Sequence, residues 1–152
     1  MSHTPDTSRP ASVAWLGYGG LLPFWGLAGL VAFDTVRQHF WNQALIAYGA
    51  VILSFVGALH WAFAMLLPGL TPAQRRNRFV WSTVPALLAW PALLLPVRFA
   101  LPLLMAGFFA HYLQDRGLAA STALPHWYLP LRLQLSAVAC LALAIAAAIT
   151  LG

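Results

Sequence analysis

Five long apolar runs, joined by short polar connections, make up almost the whole of this sequence. An α-helix rises about 1.5 Å per residue, so roughly 20 apolar residues are needed to cross the ~30 Å hydrocarbon core of a membrane. Only 7% of the side chains are charged and 61% are hydrophobic, whereas soluble domains carry roughly 25% charged residues. The pattern therefore predicts an all-α, polytopic membrane protein, folded as a bundle of five transmembrane helices.

The polar connections and the prolines set the limits of these runs. The expected spans are residues 12–33, 43–67, 79–95, 99–113 and 127–151, which form one five-helix transmembrane domain, 12–152. Residues 79–113 could form one helix, but its 35 residues would overrun the bilayer, and a turn at Pro96-Val97-Arg98 indicates a hairpin. Residues 1–11 are polar and contain two prolines, so we expect a disordered N-terminal tail.

The arginines set the expected orientation, because cytoplasmic connections of membrane proteins are enriched in basic residues. The chain has eight arginines and no lysine. With the N-terminus in the cytoplasm, the inner side carries Arg9, Arg75, Arg76, Arg78, Arg116 and Arg132, and the outer side carries Arg37 and Arg98. The C-terminus is then outside, and we expect a multi-pass protein of the bacterial inner (cytoplasmic) membrane. Arginines divided among apolar runs do not indicate a nucleic-acid-binding surface.

Prolines and glycines inside the runs predict how the helices bend and pack. Pro85, Pro91 and Pro102 fall within expected spans, where each removes a backbone donor and tends to kink the helix. Gly49 and Gly57 stand among small residues of the second run, and small faces let membrane helices approach closely. We expect these small residues to serve packing within one chain, with packing between two copies as the alternative.

The residues that common enzyme classes need are scarce. The single cysteine, Cys140, cannot form an internal disulfide or a cysteine-based metal site. No zinc-protease, phosphate-loop or nucleophile-elbow motif occurs. No Asp or Glu falls within the five expected spans, whereas proton-driven transporters usually place carboxylates at membrane depth. We therefore predict a non-enzymatic protein without catalytic residues, predict no cofactor, and disfavour proton-driven transport.

Polar and aromatic side chains collect toward the inner ends of the last four spans. The candidate ligand-binding residues are His60, Trp61, Trp81, Ser82, His111, Tyr112, Asp115, Trp127, Tyr128 and Arg132. Two interpretations stay open: a cavity that opens toward the inner leaflet, or a belt of interfacial anchors with one structural ion pair. Arg132 lies one turn inside the last span, where an unpaired guanidinium is unfavourable. We expect Asp115 to be its partner, with a lipid phosphate as the next alternative.

Two histidines lie at similar depth on separate spans. His60 is the deeper of the two, and His111 precedes Asp115 by four residues. Such a pair could ligate a haem iron or another metal ion. The other readings are a histidine hydrogen-bonded to a hydroxyl or a backbone carbonyl, and a polar contact to a small ligand.

Three strings in order along the chain carry a family resemblance. They are LGYGGLLPF at residues 16–24, AYGAVILSFVGALHW at residues 47–61 and PHWYLPLR at residues 125–132. Together they resemble the membrane-protein family called domain of unknown function 3429, over nearly the whole chain. The resemblance implies a multi-helix membrane protein, and it carries no reaction, ligand or set of functional residues with it.

Three hypotheses for the function follow from these residues. The first is a membrane protein that binds a small apolar or amphipathic ligand, or a lipid, near the inner leaflet. The second is a structural or assembly partner, which packs against another membrane protein or against a second copy of itself. The third is a haem- or metal-binding membrane protein that uses His60 and His111.

Overall fold

The protein folds into antiparallel helices. In the computed structural model, which describes residues 10–152, every regular element is helical. The helices are α1 (Ala11–Gly19), α2 (Leu22–Phe33), α3 (Gln38–Leu66), α4 (Pro72–Ala92), α5 (Val97–Ser121) and α6 (Tyr128–Leu151), with a 3-10 turn at Thr35–Arg37. Most of the predicted disordered tail, residues 1–9, lies outside the described residues, and its last residue, Ala11, already belongs to α1.

Helix α3 is the centre of the bundle, because it packs against α2, α4, α5 and α6. Its fully buried side chains, among them Leu45 and Leu53, share one apolar core with Phe24 of α2, Leu104 of α5 and Leu143 of α6. The bundle has two ends. The start of α1, α4 and α6 and the end of α3 and α5 form one of them, which we call the Asp115 end.

The turn between α3 and α4 has the residues that its geometry requires. Gly69 has a φ of 78°, a left-handed conformation that favours glycine. Thr71 caps α4 through a reciprocal pair of hydrogen bonds with Gln74, which satisfies two otherwise unpaired N–H groups. The guanidinium of Arg75 donates to the carbonyls of Ala64 and Leu67 at the end of α3. These contacts close the Asp115 end of the α3–α4 hairpin.

One half-buried carboxylate contributes hydrogen bonds to the turn between α2 and α3. Asp34 accepts hydrogen bonds from the Trp41 indole at 3.0 Å and from the Arg37 side chain at 2.9 Å. The hydrogen bond from Trp41, followed by the contacts with Arg37, holds the pKa of Asp34 below its usual value. The part of the chain predicted as a polar connection is therefore an ordered turn, and α3 begins at Gln38 rather than at residue 43.

Helices α4 and α5 differ from the predicted spans, mainly because polar residues extend one end of each helix. The polar segment before residue 79 forms the first turns of α4, which runs from Pro72 to Ala92 instead of over 79–95. Helix α5 covers Val97–Ser121 rather than 99–113. The first predicted run is divided by a turn at Gly20 and Leu21, whereas the last one agrees with α6 to within one residue.

The longer α5 changes the meaning of Asp115. The sequence predicts this residue in a connection after residue 113, which leaves no carboxylate within the five expected spans. In the structure Asp115 belongs to α5 and is fully buried. A helix of the bundle therefore does contain a carboxylate, and the prediction against proton-driven transport loses its basis.

Small residues bring the central helices close together, as the sequence predicts. A Cβ atom added to Gly57 of α3 would lie 2.8 Å from the Cβ and Cγ atoms of Pro85 in α4. One added to Gly49 would lie 3.1 Å from Leu104 of α5. Both glycines therefore serve packing within the chain. Pro85, Pro91 and Pro102 all lie inside helices, as expected.

Three segments are long and apolar enough to cross a membrane by length and composition. They are Ala11–Phe33, which includes α1 and α2, Thr35–Leu66, which includes α3, and Tyr128–Leu151, which is α6. Large side chains on their outer surfaces, such as Phe33 and Val51, are exposed. Apolar surfaces of this extent need lipid rather than water around them, so the chain is an integral membrane protein.

Candidate functional site

A buried carboxylate joins four helices at the Asp115 end. Asp115 of α5 accepts hydrogen bonds at Oδ1 from His60 Nε2 of α3, at 3.0 Å, and from the Tyr128 hydroxyl of α6, at 3.0 Å. Its Oδ2 accepts from Arg132 Nε at 2.7 Å and lies 3.7 Å from His111 Nε2. The fourth helix, α4, joins through the indole that holds His111. The predicted ion pair between Asp115 and Arg132 is confirmed.

The indole of Trp81 fixes the protonation of His111. Trp81 Nε1 lies 3.1 Å from His111 Nδ1, and an indole N–H can only donate. His111 Nδ1 must therefore accept, which leaves the ring proton of the neutral imidazole on Nε2. This Nε2–H faces the Asp115 carboxylate at a distance too long for a direct hydrogen bond. His111 is thus held as a neutral ring between α4 and the carboxylate.

His60 has a similar role from the other side. Because an ionised carboxylate only accepts hydrogen bonds, His60 Nε2 must carry the proton that it shares with Asp115. The side chain is fully buried, and its Nδ1 has no hydrogen-bond partner in the described part of the chain. The ring packs edge-to-face against His111, with centroids 5.0 Å apart. His60 is a donor to the ion pair and does not line the cavity described below.

The two histidines and Asp115 bring ligand atoms within 4.8 Å of one another, so the metal hypothesis can be tested on their chemistry. A metal ion among them would take Nε2 of His111 and move the ring proton to Nδ1. That proton would then face the indole N–H of Trp81, which is unfavourable. A haem fits no better, because both rings are fully buried and in contact with each other. The donor set suits an ion-pair network better than a metal or haem site.

An apolar cavity of about 300 Å³ lies beside this network. Its walls come from α1, α2, α3, α5 and α6, and they include Gly20, Phe24, Ile52 and Ala139. Arg132 and Tyr128, which both contact Asp115, belong to the same lining. The network and the cavity therefore share two side chains.

The predicted site residues fall into three groups. His60, His111, Asp115, Tyr128 and Arg132 form the network, with Trp81 attached through His111. Trp127, Tyr128 and Arg132 line the cavity. The remaining three are apart from both: Trp61 is half-exposed and packs on Phe79, Ser82 donates to the Phe79 carbonyl at 2.6 Å, and Tyr112 is half-buried.

Two parts of the site escaped the sequence interpretation. Arg78 of α4, counted there only as a basic residue of the inner connection, is buried and donates to the Gln114 carbonyl at 3.1 Å. Arg78 lies three and four residues before Trp81 and Ser82, which puts it on the same face of α4. This spacing could have identified Arg78 from the sequence. The α1 and α2 walls of the cavity gave no such signal, since their residues are uniformly apolar.

The helical bundle, its apolar outer surface and the buried ion pair define a polytopic membrane protein. Residues 9–148 match the family described as Protein of unknown function (DUF3429), and the chain belongs to this family. Over 139 residues it is 37% identical to Transmembrane protein 69 of Xenopus tropicalis, a match that covers 88% of this chain and 52% of the relative. The chain thus spans about half the length of that curated relative. No solved structure matches it.

Proposed function

We propose that this protein binds a small amphipathic ligand or a lipid in the cavity beside the Asp115 network. One observation carries the proposal: an apolar cavity of about 300 Å³ has a buried guanidinium, Arg132, in its wall. Ligand pockets typically measure ~300–1,000 Å³ and combine apolar walls with a few well-placed polar groups. This cavity is at the lower end of that range and has that composition.

The cavity opens sideways, toward the lipid. Two of its lining residues, Leu16 of α1 and Phe55 of α3, are 78% and 63% exposed. Both side chains are apolar, so the rim between them suits hydrocarbon rather than water. An apolar chain could enter from the bilayer without crossing an aqueous phase.

Arg132, the charged group in the cavity wall, is held in one orientation, which favours ligand binding. Arg132 is fixed by its hydrogen bond to Asp115, and Asp115 is fixed in turn by His60 and Tyr128. A donor that is already oriented loses little conformational freedom when a ligand binds. This orientation is also supported, through Asp115, by the candidate residues His60, His111 and Trp81. We do not assign them ligand contacts.

The proposal includes five spans, with the N-terminus in the cytoplasm and the C-terminus outside. Helices α4 and α5 have 21 and 25 residues, enough for ~30 Å at ~1.5 Å per residue. The described arginines at the Asp115 end are Arg75, Arg76, Arg78, Arg116 and Arg132, against Arg37 and Arg98 at the other end. The positive-inside rule then places the Asp115 end on the inner side, and in a bacterial cell on the cytoplasmic face of the inner membrane.

Reporter fusions at Gly152 test this orientation. With an odd number of spans and a cytoplasmic N-terminus, a C-terminal alkaline phosphatase is expected to be active and a C-terminal green fluorescent protein dark. A fusion after Gly69, in the turn between α3 and α4, serves as the control with the opposite pattern. A fluorescent fusion at Gly152 without phosphatase activity would contradict the five-span arrangement.

A cavity-filling substitution tests the binding proposal. Ile52 lines the cavity, whereas its neighbour Val51 is 64% exposed on the outer surface of α3. We expect native mass spectrometry of the protein, purified in a mild detergent, to detect a bound amphiphile. Ile52→Trp should reduce its occupancy at least about tenfold, because the indole takes up much of a cavity at the lower size limit for ligands.

Val51→Trp is the matched control for this experiment. It adds the same side chain to the same helix but toward lipid, and it should leave the occupancy unchanged. Equal occupancy in Ile52→Trp and Val51→Trp would show that the bound molecule is only annular lipid. A wild-type protein without any bound amphiphile would contradict the proposed function itself.

A second candidate function has its own support. A Cβ atom added to Gly26 or Gly29 of α2 would meet nothing within 4 Å. These two glycines therefore make no close packing contact with the described chain, although small faces commonly serve helix association in membranes. This face supports the alternative of an assembly partner or a homo-oligomer.

A further inference from the structure

The chemistry of the ligand's head group can be inferred from Arg132, on the basis of the proposed function. Only 6% of this residue is exposed. Its Nε donates to Asp115, but its Nη2 is buried and has no partner within the described chain. A guanidinium is always charged and carries five N–H donors in a planar fork. A buried donor without an acceptor is unfavourable. An additional acceptor beside the guanidinium would therefore be stabilising.

Asp115 does not satisfy the rest of the guanidinium. Its Oδ1 already accepts two hydrogen bonds, from His60 and Tyr128. Its Oδ2 accepts Arg132 Nε and is faced by His111. The carboxylate is surrounded by donors, and Arg132 Nη2 remains without an acceptor next to the cavity that Arg132 lines.

The one charged side chain in the cavity wall, Arg132, and the net charge of this end of the bundle favour an anion. At the Asp115 end the described chain carries five arginines and a single carboxylate, Asp115. Charge is unfavourable in the low dielectric of a membrane protein unless it is compensated. An anionic ligand would offset the excess of positive charge at this end and would accept a hydrogen bond that Asp115 does not accept.

We propose that the occupant is a single-chain amphiphile whose anionic oxygen head, a carboxylate or a phosphate, accepts hydrogen bonds from the Arg132 guanidinium. Planar guanidinium groups match both head groups, and charge-assisted hydrogen bonds to them are the strong ones. The apolar chain lies between α3 and α6, along Ile52 and Ala139. A cavity of about 300 Å³ has room for one such chain rather than for a complete two-chain lipid. A free fatty acid and a lysophospholipid share this chemistry.

Binding of matched probes to the delipidated protein tests the head group. The anionic probes are palmitate and palmitoyl lysophosphatidic acid, and the uncharged probes with the same chain are palmityl alcohol and monopalmitoylglycerol. We expect each anionic probe to bind at least about tenfold more tightly than its uncharged counterpart, because a charge-assisted hydrogen bond is made only with the anions. The anionic probe that binds more tightly shows whether the natural ligand is a free fatty acid or a lysophospholipid.

Variants of Arg132 link this preference to the guanidinium. Arg132→Gln should remove the preference for palmitate over palmityl alcohol and leave the affinity for the alcohol unchanged. Because Arg132→Gln alone leaves Asp115 without its cation, Arg132→Gln/Asp115→Asn is the second variant and should behave in the same way. Arg116→Gln is the control, since it removes an exposed arginine of the same end and should keep the preference.

These experiments distinguish a failure of the anionic head group from a failure of the proposed function. Equal affinity for charged and uncharged probes, with binding still lost in Ile52→Trp, would overturn the anionic head while leaving the proposed function intact. A preference that survives in both Arg132 variants would also overturn it. Absence of binding for all four probes would overturn this inference and the proposed function together.

Discussion

Replacing Asp115 by alanine is expected to lower the free energy of unfolding by about 3–5 kcal/mol, the usual effect of removing one partner of a buried ion pair. The substitution leaves the Arg132 guanidinium, which is 2.7 Å from the carboxylate, without a counter-charge. It also removes the acceptor for His60 and Tyr128. Helices α3, α5 and α6 then lose their shared polar contact. Reversible unfolding in mixed detergent micelles measures the effect.

A double-mutant cycle separates the ion pair from simple loss of packing. Arg132→Ala should also destabilise the protein, and Asp115→Ala/Arg132→Ala should cost less than the sum of the single changes, because neither charge is then left alone. Asp34→Ala is the control, since it removes a carboxylate from the turn between α2 and α3 and should have a much smaller effect. Additive losses in the cycle would show that Asp115 and Arg132 do not interact.

The second large effect is expected at the closest contact between α3 and α4. Gly57→Ala would place a methyl group 2.8 Å from two ring carbons of Pro85, closer than van der Waals contact allows. The proline ring is part of the backbone of α4 and cannot turn aside as a flexible side chain would. We expect the helices to be forced apart and stability to fall by about 1–3 kcal/mol, as in other overpacked cores.

Gly26→Ala is the matched control for Gly57→Ala. Both glycines lie inside helices, but a Cβ atom on Gly26 meets nothing within 4 Å. Alanine there should be neutral or slightly stabilising, because it restricts the unfolded chain without creating a clash. Thermal unfolding of the two variants in the same detergent provides the comparison. Equal stability of Gly57→Ala and wild type would contradict the close α3–α4 packing.

The sequence predicts the helices better than it predicts their ends. The long apolar runs predict where the helices lie, with α1 and α2 sharing one run, because a helix satisfies all of its own backbone polar groups in lipid. The predicted limits fail where polar residues join a helix. The capping box of Thr71, for example, starts α4 at Pro72, seven residues before Phe79. They fail again at Asp115, because polarity alone does not distinguish a buried helical residue from a residue in a connection.

The polar part of the site was more predictable than the apolar part. The pairing of Arg132 with Asp115 follows from the unfavourable energy of an unpaired charge, and the structure contains it. The Asp115 contacts with His60 and Tyr128 depend on which helices are neighbours. The arrangement of helices in the bundle cannot be deduced from a single sequence. The cavity depends on small differences in packing among residues such as Leu21, Ile52 and Ala139, all of which look like ordinary lipid-facing or core positions.

Photo-crosslinking in native membranes tests the central claim, that an amphiphile occupies the cavity beside Arg132. Palmitate with a diazirine at the end of its chain is added to the membranes, activated by light, and located by peptide mass spectrometry. We expect labels concentrated in residues 52–59 of α3 and 135–139 of α6, and we expect their loss in Ile52→Trp but not in Val51→Trp. Equal labelling of outward-facing side chains of α4, such as Leu87 and Trp90, would contradict it.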